Sequence, residues 1–146
     1  MSPKGSRHEA FKIALNRRWR RAAPDDCEAA QETTSRLSVD TYVEPDFVIF
    51  KRTGGLKEFS GPSALLVVEI AGSSLNYDKV RKSKLYATFG IREFWVIDAV
   101  RRLTHVFVEP SEQGYRGISK FSAAKLVVPR FAPEVFALRL DDLEAL

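Results

Sequence analysis

The sequence predicts a single mixed α/β (α+β) domain, a mixed β-sheet core flanked by helices, and three observations carry that expectation. Apolar residues recur first at helical and then at strand spacing, in the order helix, strands, one continuously apolar strand, helix, strands. The stretch "ALLVVEIA" (residues 64–71) is apolar throughout except for Glu69, as expected of a central strand covered on both faces. A chain of 146 residues, 45% hydrophobic and 29% charged, can build one ordinary core without disulfide or metal staples.

The first element is a basic amphipathic helix within residues 1–24. In "RHEAFKIALNRRWRRA", Phe11, Leu15, Trp19 and Ala22 recur at helical spacing, and Arg17, Arg18, Arg20 and Arg21 mostly fill the other side. Residues 1–24 hold seven Lys/Arg against one acid, Glu9, a balance of +6, while residues 25–146 hold sixteen against eighteen, a balance of −2. The net charge of +4 is therefore local to this helix. Taken alone, the helix reads as a docked element with a solvated basic face; an Arg-rich targeting peptide is a weaker reading.

Residues 25–35, "DDCEAAQETTS", carry turn formers and no apolar periodicity, and are expected to be a connection. "RLSVDTYV" (36–43) alternates Leu37, Val39, Thr41 and Val43 against polar or amphipathic neighbours, the two-residue period of a half-buried strand. Pro45 interrupts it, and Phe47 to Phe50 form a further short strand ending at the "KRTGG" turn. After "ALLVVEIA", Gly72, Ser73 and Ser74 close the strand and a helix runs from about Leu75 to Phe89, with Gly90 placed as its C′ residue. "EFWVID", "LTHVFVE" and "YRGISKF" follow as three short strands; Trp95 is expected in the core, and "FALRLDDLEAL" packs or frays at the end.

Glu69 is the residue that this pattern does not explain. An isolated buried carboxylate costs several kcal/mol, on the order of the penalties for other buried ions, or takes up a proton, so a compensating partner is expected. One candidate is a cation from the following helix. With about 100° per residue, Lys82 falls in the middle of the apolar face formed by Leu75, Leu85, Tyr86 and Phe89, beside Asp78. Lys82 then either pairs with Asp78 and snorkels outward or reaches the C-terminal end of the central strand, where open sheets usually place ligands. Lys79, Arg81 and Lys84 spread over the rest of the circumference. The other candidate is a metal ion, which needs a further hard oxygen ligand. Asp46, opening the strand before Glu69's, could join Glu69 in holding Mg²⁺ or Mn²⁺, although taken alone it is better read as a plain Pro-Asp turn.

These residues stand in a recognisable order. Pro45-Asp46, "LLVVEIAGSS", Tyr77-Asp78, Lys82, Tyr86, Gly90-Ile91 and Glu93-Phe94-Trp95-Val96-Ile97-Asp98 resemble the Uma2 family (DUF820), a branch of the PD-(D/E)XK restriction-endonuclease-like superfamily. The opening "RHEAFKIAL" and closing "FALRLDDL" are also similar to the ends of that family. The resemblance implies a restriction-endonuclease-like fold and a metal-dependent endonuclease acting on nucleic acid, DNA above all. It makes Asp46 and Glu69, with the Ile70 backbone carbonyl, the Mg²⁺ or Mn²⁺ ligands, and Lys82 the signature lysine. In the wider superfamily that lysine lies two residues after the acid, where this chain has Ala71. Family members usually continue the strand as E-x-x-S-P-S, and Gly72-Ser73-Ser74 departs from it. Glu9, His8, Asp78 and Tyr86 are possible accessory groups, although His8 near a terminus is more often a surface histidine. Arg17, Arg18, Arg20, Arg21, Lys79, Arg81 and Lys84 would contact phosphates without reading sequence. A homodimer would suit cleavage of two strands.

Other classes find little support in the residues. With His8 and His105 as the two histidines, Cys27 as the one cysteine and no Gly-rich phosphate loop, zinc sites and nucleotide-binding loops are not expected. The longest apolar runs are too short to cross a bilayer and no secretory segment follows the start, so a soluble cytoplasmic protein without membrane partners is expected. Two rivals keep the fold but change the role: a degenerate module that binds nucleic acid or a protein partner, and a buried ion network of Glu69, Lys82 and Asp78 with no chemistry.

Overall fold

In the computed structural model of the chain, residues 6–53, 60–72 and 75–143 are described, with side chains from residues 8–53, 60–72 and 81–143. The elements are helix α1 (Ser6–Ala22), strands β1 (Cys27–Gln31), β2 (Ser35–Arg36), β3 (Tyr42–Val43), β4 (Phe47–Lys51) and β5 (Ala64–Ala71), helix α2 (Leu75–Thr88), and strands β6 (Glu93–Asp98), β7 (Leu103–Ser111) and β8 (Gly114–Ser122). Short 3₁₀ turns cover Gly61–Ser63, Glu134–Phe136 and Leu140–Asp142.

Six strands form one sheet in the order β1-β4-β5-β6-β7-β8. The β5–β6 pair is parallel and the others are antiparallel. A parallel pair needs a crossover connection, and α2 supplies it. This is the mixed sheet with flanking helices that the apolar pattern predicts.

Strand alternation divides the core in two. On one face Phe47, Ile49, Leu66, Val68, Trp95 and Ile97 pack against Phe11, Leu15 and Trp19 of α1 and against Phe136, Leu138 and Leu140 near the end of the chain. On the other, Val48, Val67, Phe94, Val96, Phe107 and Tyr115 pack with Tyr86 and Ala87 of α2. Trp19 meets Phe47 edge-on at 5.5 Å and Phe136 at 5.9 Å, which fixes α1 across the sheet. Trp95 is fully buried, as expected.

Two expectations are corrected. Residues 25–35 are not merely a connection: Cys27–Gln31 is edge strand β1, paired antiparallel with β4 from Cys27↔Lys51 to Gln31↔Phe47. Its small residues carry no strong period, and the β4 edge supplies the order that local sequence lacks. "RLSVDTYV" is not one strand of the main sheet. It folds back as a hairpin, with Ser35 opposite Val43 and Arg36 opposite Tyr42. The Ser38 hydroxyl accepts the Asp40 amide hydrogen, and the Leu37 amide donates to the Thr41 carbonyl at 2.8 Å. Local polar turn chemistry therefore overrides the alternation, leaving Val39 76% exposed.

The C-terminal end of α2 is set by glycine. Gly90 has φ +78°, its amide donates to the Ala87 carbonyl (3.0 Å), and the Ile91 amide donates to that of Tyr86 (3.1 Å), which is a Schellman termination. Gly61 allows the close approach beneath it: a Cβ there would lie 1.8 Å from the Phe89 carbonyl oxygen.

Candidate active site

Asp46 and Glu69 are brought together by the register of β4 and β5. Phe47 lies opposite Val68, so one step further along the antiparallel pair Asp46 faces Glu69. Both are 7% exposed. Asp46 Oδ2 accepts the Ile70 amide hydrogen at 2.7 Å, which fixes its carboxylate against the peptide between Glu69 and Ile70.

Glu69 alternates with Val67 and so points to the α2 face of the sheet. Two α2 side chains one turn apart meet it there. The Tyr86 hydroxyl donates to Glu69 Oε1 at 2.8 Å, and Lys82 Nζ lies 3.2 Å from Oε2. Lys82 thus takes the inward of its two expected positions. Its side chain remains 42% exposed against 10% for that of Glu69, so the pair sits where the core opens to solvent.

Burial pushes Glu69 up to about 7, the Lys82 ammonium and the Tyr86 hydroxyl oppose the rise, and the Asp46 carboxylate adds to it. Burial and the Glu69 carboxylate together push Tyr86 well above the ordinary phenol range.

Helix α1 contributes from the other side. His8 Nε2 donates to the Ile70 carbonyl at 2.7 Å and lies 4.0 Å from Asp46 Oδ2, while His8 Nδ1 is 3.5 Å from Glu9 Oε1. His8 is therefore not the ordinary surface histidine that its position near the terminus suggests. Lys12, absent from the sequence-based candidates, lies 3.9 Å from Asp46 Oδ1 and 3.9 Å from Glu9 Oε1 and bonds Glu32 directly. A helical signal for it existed: at about 100° per residue, His8 and Lys12 fall within the same half of the helix as Leu15 and Trp19. No such signal marks Glu32, which lies just past β1 with φ 50°.

Several candidates stand elsewhere. Arg17, Arg18 and Arg21 line a groove of about 370 Å³ with Ala14, Ala22, Asp142 and Leu143. They lie nine or more residues along α1 from His8, roughly 14 Å or further at 1.5 Å per residue. Arg20 is exposed on the same half of the helix, and Arg81 and Lys84 are exposed on α2. The side chains of Asp78 and Lys79, and residues Ser73 and Ser74, lie outside the described part of the chain.

The buried Glu93 provides a contrast with Glu69. It accepts the Trp95 indole N–H at 2.9 Å and the Arg130 amide at 2.8 Å, so it pins the C-terminal segment to β6. Glu69 instead faces a second carboxylate and a solvent-accessible lysine. Asp46, Glu69 and the Ile70 carbonyl are hard-oxygen donors of the kind that could hold Mg²⁺ or Mn²⁺. Among the described residues there is no cluster of three or more His, Cys, Asp or Glu side chains that could hold a metal, so the backbone carbonyl would be an essential part of that set. No helix among the described residues is long and apolar enough to cross a membrane.

Comparison with known proteins agrees with this architecture. The crystal structure of a protein described as a "putative nuclease belonging to DUF820" from Anabaena variabilis ATCC 29413 superposes with a TM-score of 0.65 at 20% identity, over 97% of this chain and 82% of that one. A chain of the DrdV–DNA complex aligns with 77% of this chain and 10% of its own at 13% identity, with a TM-score of 0.46. No curated protein matches the chain. The profile of the Uma2 family, described as "Putative restriction endonuclease", matches residues 1–141. The chain belongs to the Uma2 family.

Proposed function

We propose that the protein is a metal-dependent endonuclease that hydrolyses phosphodiester bonds in nucleic acid, with DNA as the substrate expected of its family. The observation that carries this reading is the pairing of two buried carboxylates, Asp46 and Glu69, around the Ile70 peptide, with Lys82 Nζ 3.2 Å from Glu69 on the solvent side. A divalent cation held by Asp46, Glu69 and the Ile70 carbonyl would supply Lewis-acid polarisation of a phosphoryl oxygen and acidify water.

The protein's own groups then have separable roles. Asp46 is oriented by the Ile70 amide, and the Ile70 carbonyl by His8 Nε2. Tyr86 holds Glu69 Oε1, leaving Oε2 beside Lys82. Lys82, anchored at its tip and partly open to solvent, orients the attacking water and stabilises charge on the phosphate. In hydrolysis a P–O bond forms to the water oxygen and the bond to the leaving sugar oxygen breaks. Exposed Arg81 and Lys84, on the helix that bears Lys82, are suited to neutralise neighbouring phosphates. Arg17, Arg18, Arg20 and Arg21 could do so only for a strand that extends roughly 14 Å or more along α1.

Nicking of supercoiled plasmid by purified protein tests the proposal. Mg²⁺-dependent nicking is expected, and Glu69→Ala and Lys82→Ala should each abolish it. Nicking that survives both substitutions, or that proceeds equally in chelator, would refute the assignment.

A further inference from the structure

Helix α1 carries a buried charge that the proposed hydrolysis does not use. Lys12 is 3% exposed, and lysine is almost never buried to that degree unless paired. Its ammonium stands among three carboxylates, bonding Glu32 and lying 3.9 Å from both Glu9 Oε1 and Asp46 Oδ1. These acids come from three separate segments. Glu9 is one turn away on α1, Glu32 follows β1, and Asp46 leads into β4.

The arrangement is tied to the candidate site through the backbone. The Glu32 amide donates to the Asp46 carbonyl at 3.0 Å, so the turn after β1 is fastened to Asp46 itself. The two Asp46 oxygens are divided: Oδ2 takes the Ile70 amide and Oδ1 faces Lys12. Glu69, with Lys82 and Tyr86, lies opposite Asp46 across the β4–β5 pair. Asp46 is therefore shared between a cation that belongs to the protein and the position where a metal ion would be shared with Glu69.

We propose that Lys12 is the site's built-in second cation. Its ammonium offsets one charge of the carboxylate group Glu9, Glu32 and Asp46 and occupies the space among them, and thereby limits the site to a single divalent ion on the Glu69 side. The inference rests on the reading of Asp46 and Glu69 as metal ligands. Lys12 is in these terms a positioning residue, acting on substrate only through Asp46. A unit positive charge this close to a ligand oxygen also weakens divalent binding there, because two cations share one carboxylate. At an effective dielectric of roughly 20, and allowing for salt screening, its removal should tighten that binding at least about tenfold.

Calorimetric titration of Mn²⁺ into the metal-free full chain, with free Mn²⁺ followed by electron paramagnetic resonance, tests this on wild type, Lys12→Met and Lys12→Arg. Wild type should take one Mn²⁺, and Lys12→Arg, which keeps the positive charge, should match it in count. Lys12→Met should bind its first ion about tenfold or more tightly than wild type. Glu9 and Glu32 are 46% and 42% exposed in their side chains and can turn to water, so the variant should fold, as circular dichroism would verify. Lys12→Gln, which keeps a hydrogen-bond donor, replaces it if it does not. Two Mn²⁺ ions on wild type, or unchanged affinity in folded Lys12→Met or Lys12→Gln, would overturn the inference while leaving the ligand assignment standing. Absence of Mn²⁺ binding in wild type and variants alike would overturn both.

Discussion

Replacing Glu69 with glutamine should change how stability depends on pH in a way that the site geometry fixes in sign. The folded protein holds this carboxyl at about 7 against an ordinary value of 4.5, chiefly because burial outweighs the attraction of Lys82. Below about pH 4.5 the group is protonated in both states and makes no difference. As pH rises from there to about 7, the unfolded chain releases this proton while the folded one retains it, so folding becomes progressively less favourable. At about 1.4 kcal/mol per unit, the loss from this one group totals about 3 kcal/mol above pH 7. Glu69→Gln cannot titrate. Any fixed cost of placing an amide beside Lys82 is the same at every pH, and so cancels from the slope. Urea unfolding followed by circular dichroism in chelator, from about pH 4 to pH 8, should show the stability of wild type relative to Glu69→Gln falling by about 3 kcal/mol. A flat difference would mean that Lys82 and Tyr86 fully compensate burial. A difference that rises with pH would mean that the ionised Glu69–Lys82 pair stabilises the fold, and would refute the reasoning.

Other substitutions separate the site from the scaffold. Tyr86→Phe removes the donor to Glu69 Oε1 and should lower stability by about 1–3 kcal/mol in urea unfolding near pH 8 and slow nicking about tenfold, since a buried acceptor loses its partner. Glu93→Gln should cost a similar 1–3 kcal/mol or so by disturbing the bonds to Trp95 and Arg130, yet leave Mn²⁺ affinity measured by calorimetry unchanged. Gly61→Ala would put its Cβ 1.8 Å from the Phe89 carbonyl oxygen and should destabilise by at least about 2 kcal/mol, read as a drop in urea midpoint.

Much of this architecture was legible in the sequence because burial on both sides leaves a strong mark. The continuous "ALLVVEIA" run became central strand β5, and the break in it, Glu69, became the centre of the site. Lys82 and Tyr86 could be placed inward because helical spacing put them on the apolar face. The Schellman turn at Gly90 followed from the position of one glycine past the apolar period.

What escaped was decided by tertiary contacts or by polar local structure. Edge strand β1 is built of small residues whose order comes from pairing with β4, and the 36–43 alternation yielded to a hairpin fixed by Ser38 and Asp40. Lys12 shared the inward half of α1 with His8, Leu15 and Trp19, but its charge and the surrounding arginines disguised it. Glu32 gave no sign, because its role depends on a backbone bond to Asp46 that local sequence does not encode.

The central claim is that a divalent cation binds between Asp46 and Glu69, and paramagnetic broadening by Mn²⁺ in amide NMR spectra tests it most directly. Substoichiometric Mn²⁺ should erase the amide signals of Asp46, Phe47, Glu69 and Ile70 and those of the His8 turn before it weakens those of Arg17 to Arg21 and the Asp141-Asp142 turn. Selective loss of signals at Asp141 and Asp142, or uniform broadening without preference for Asp46 and Glu69, would contradict it.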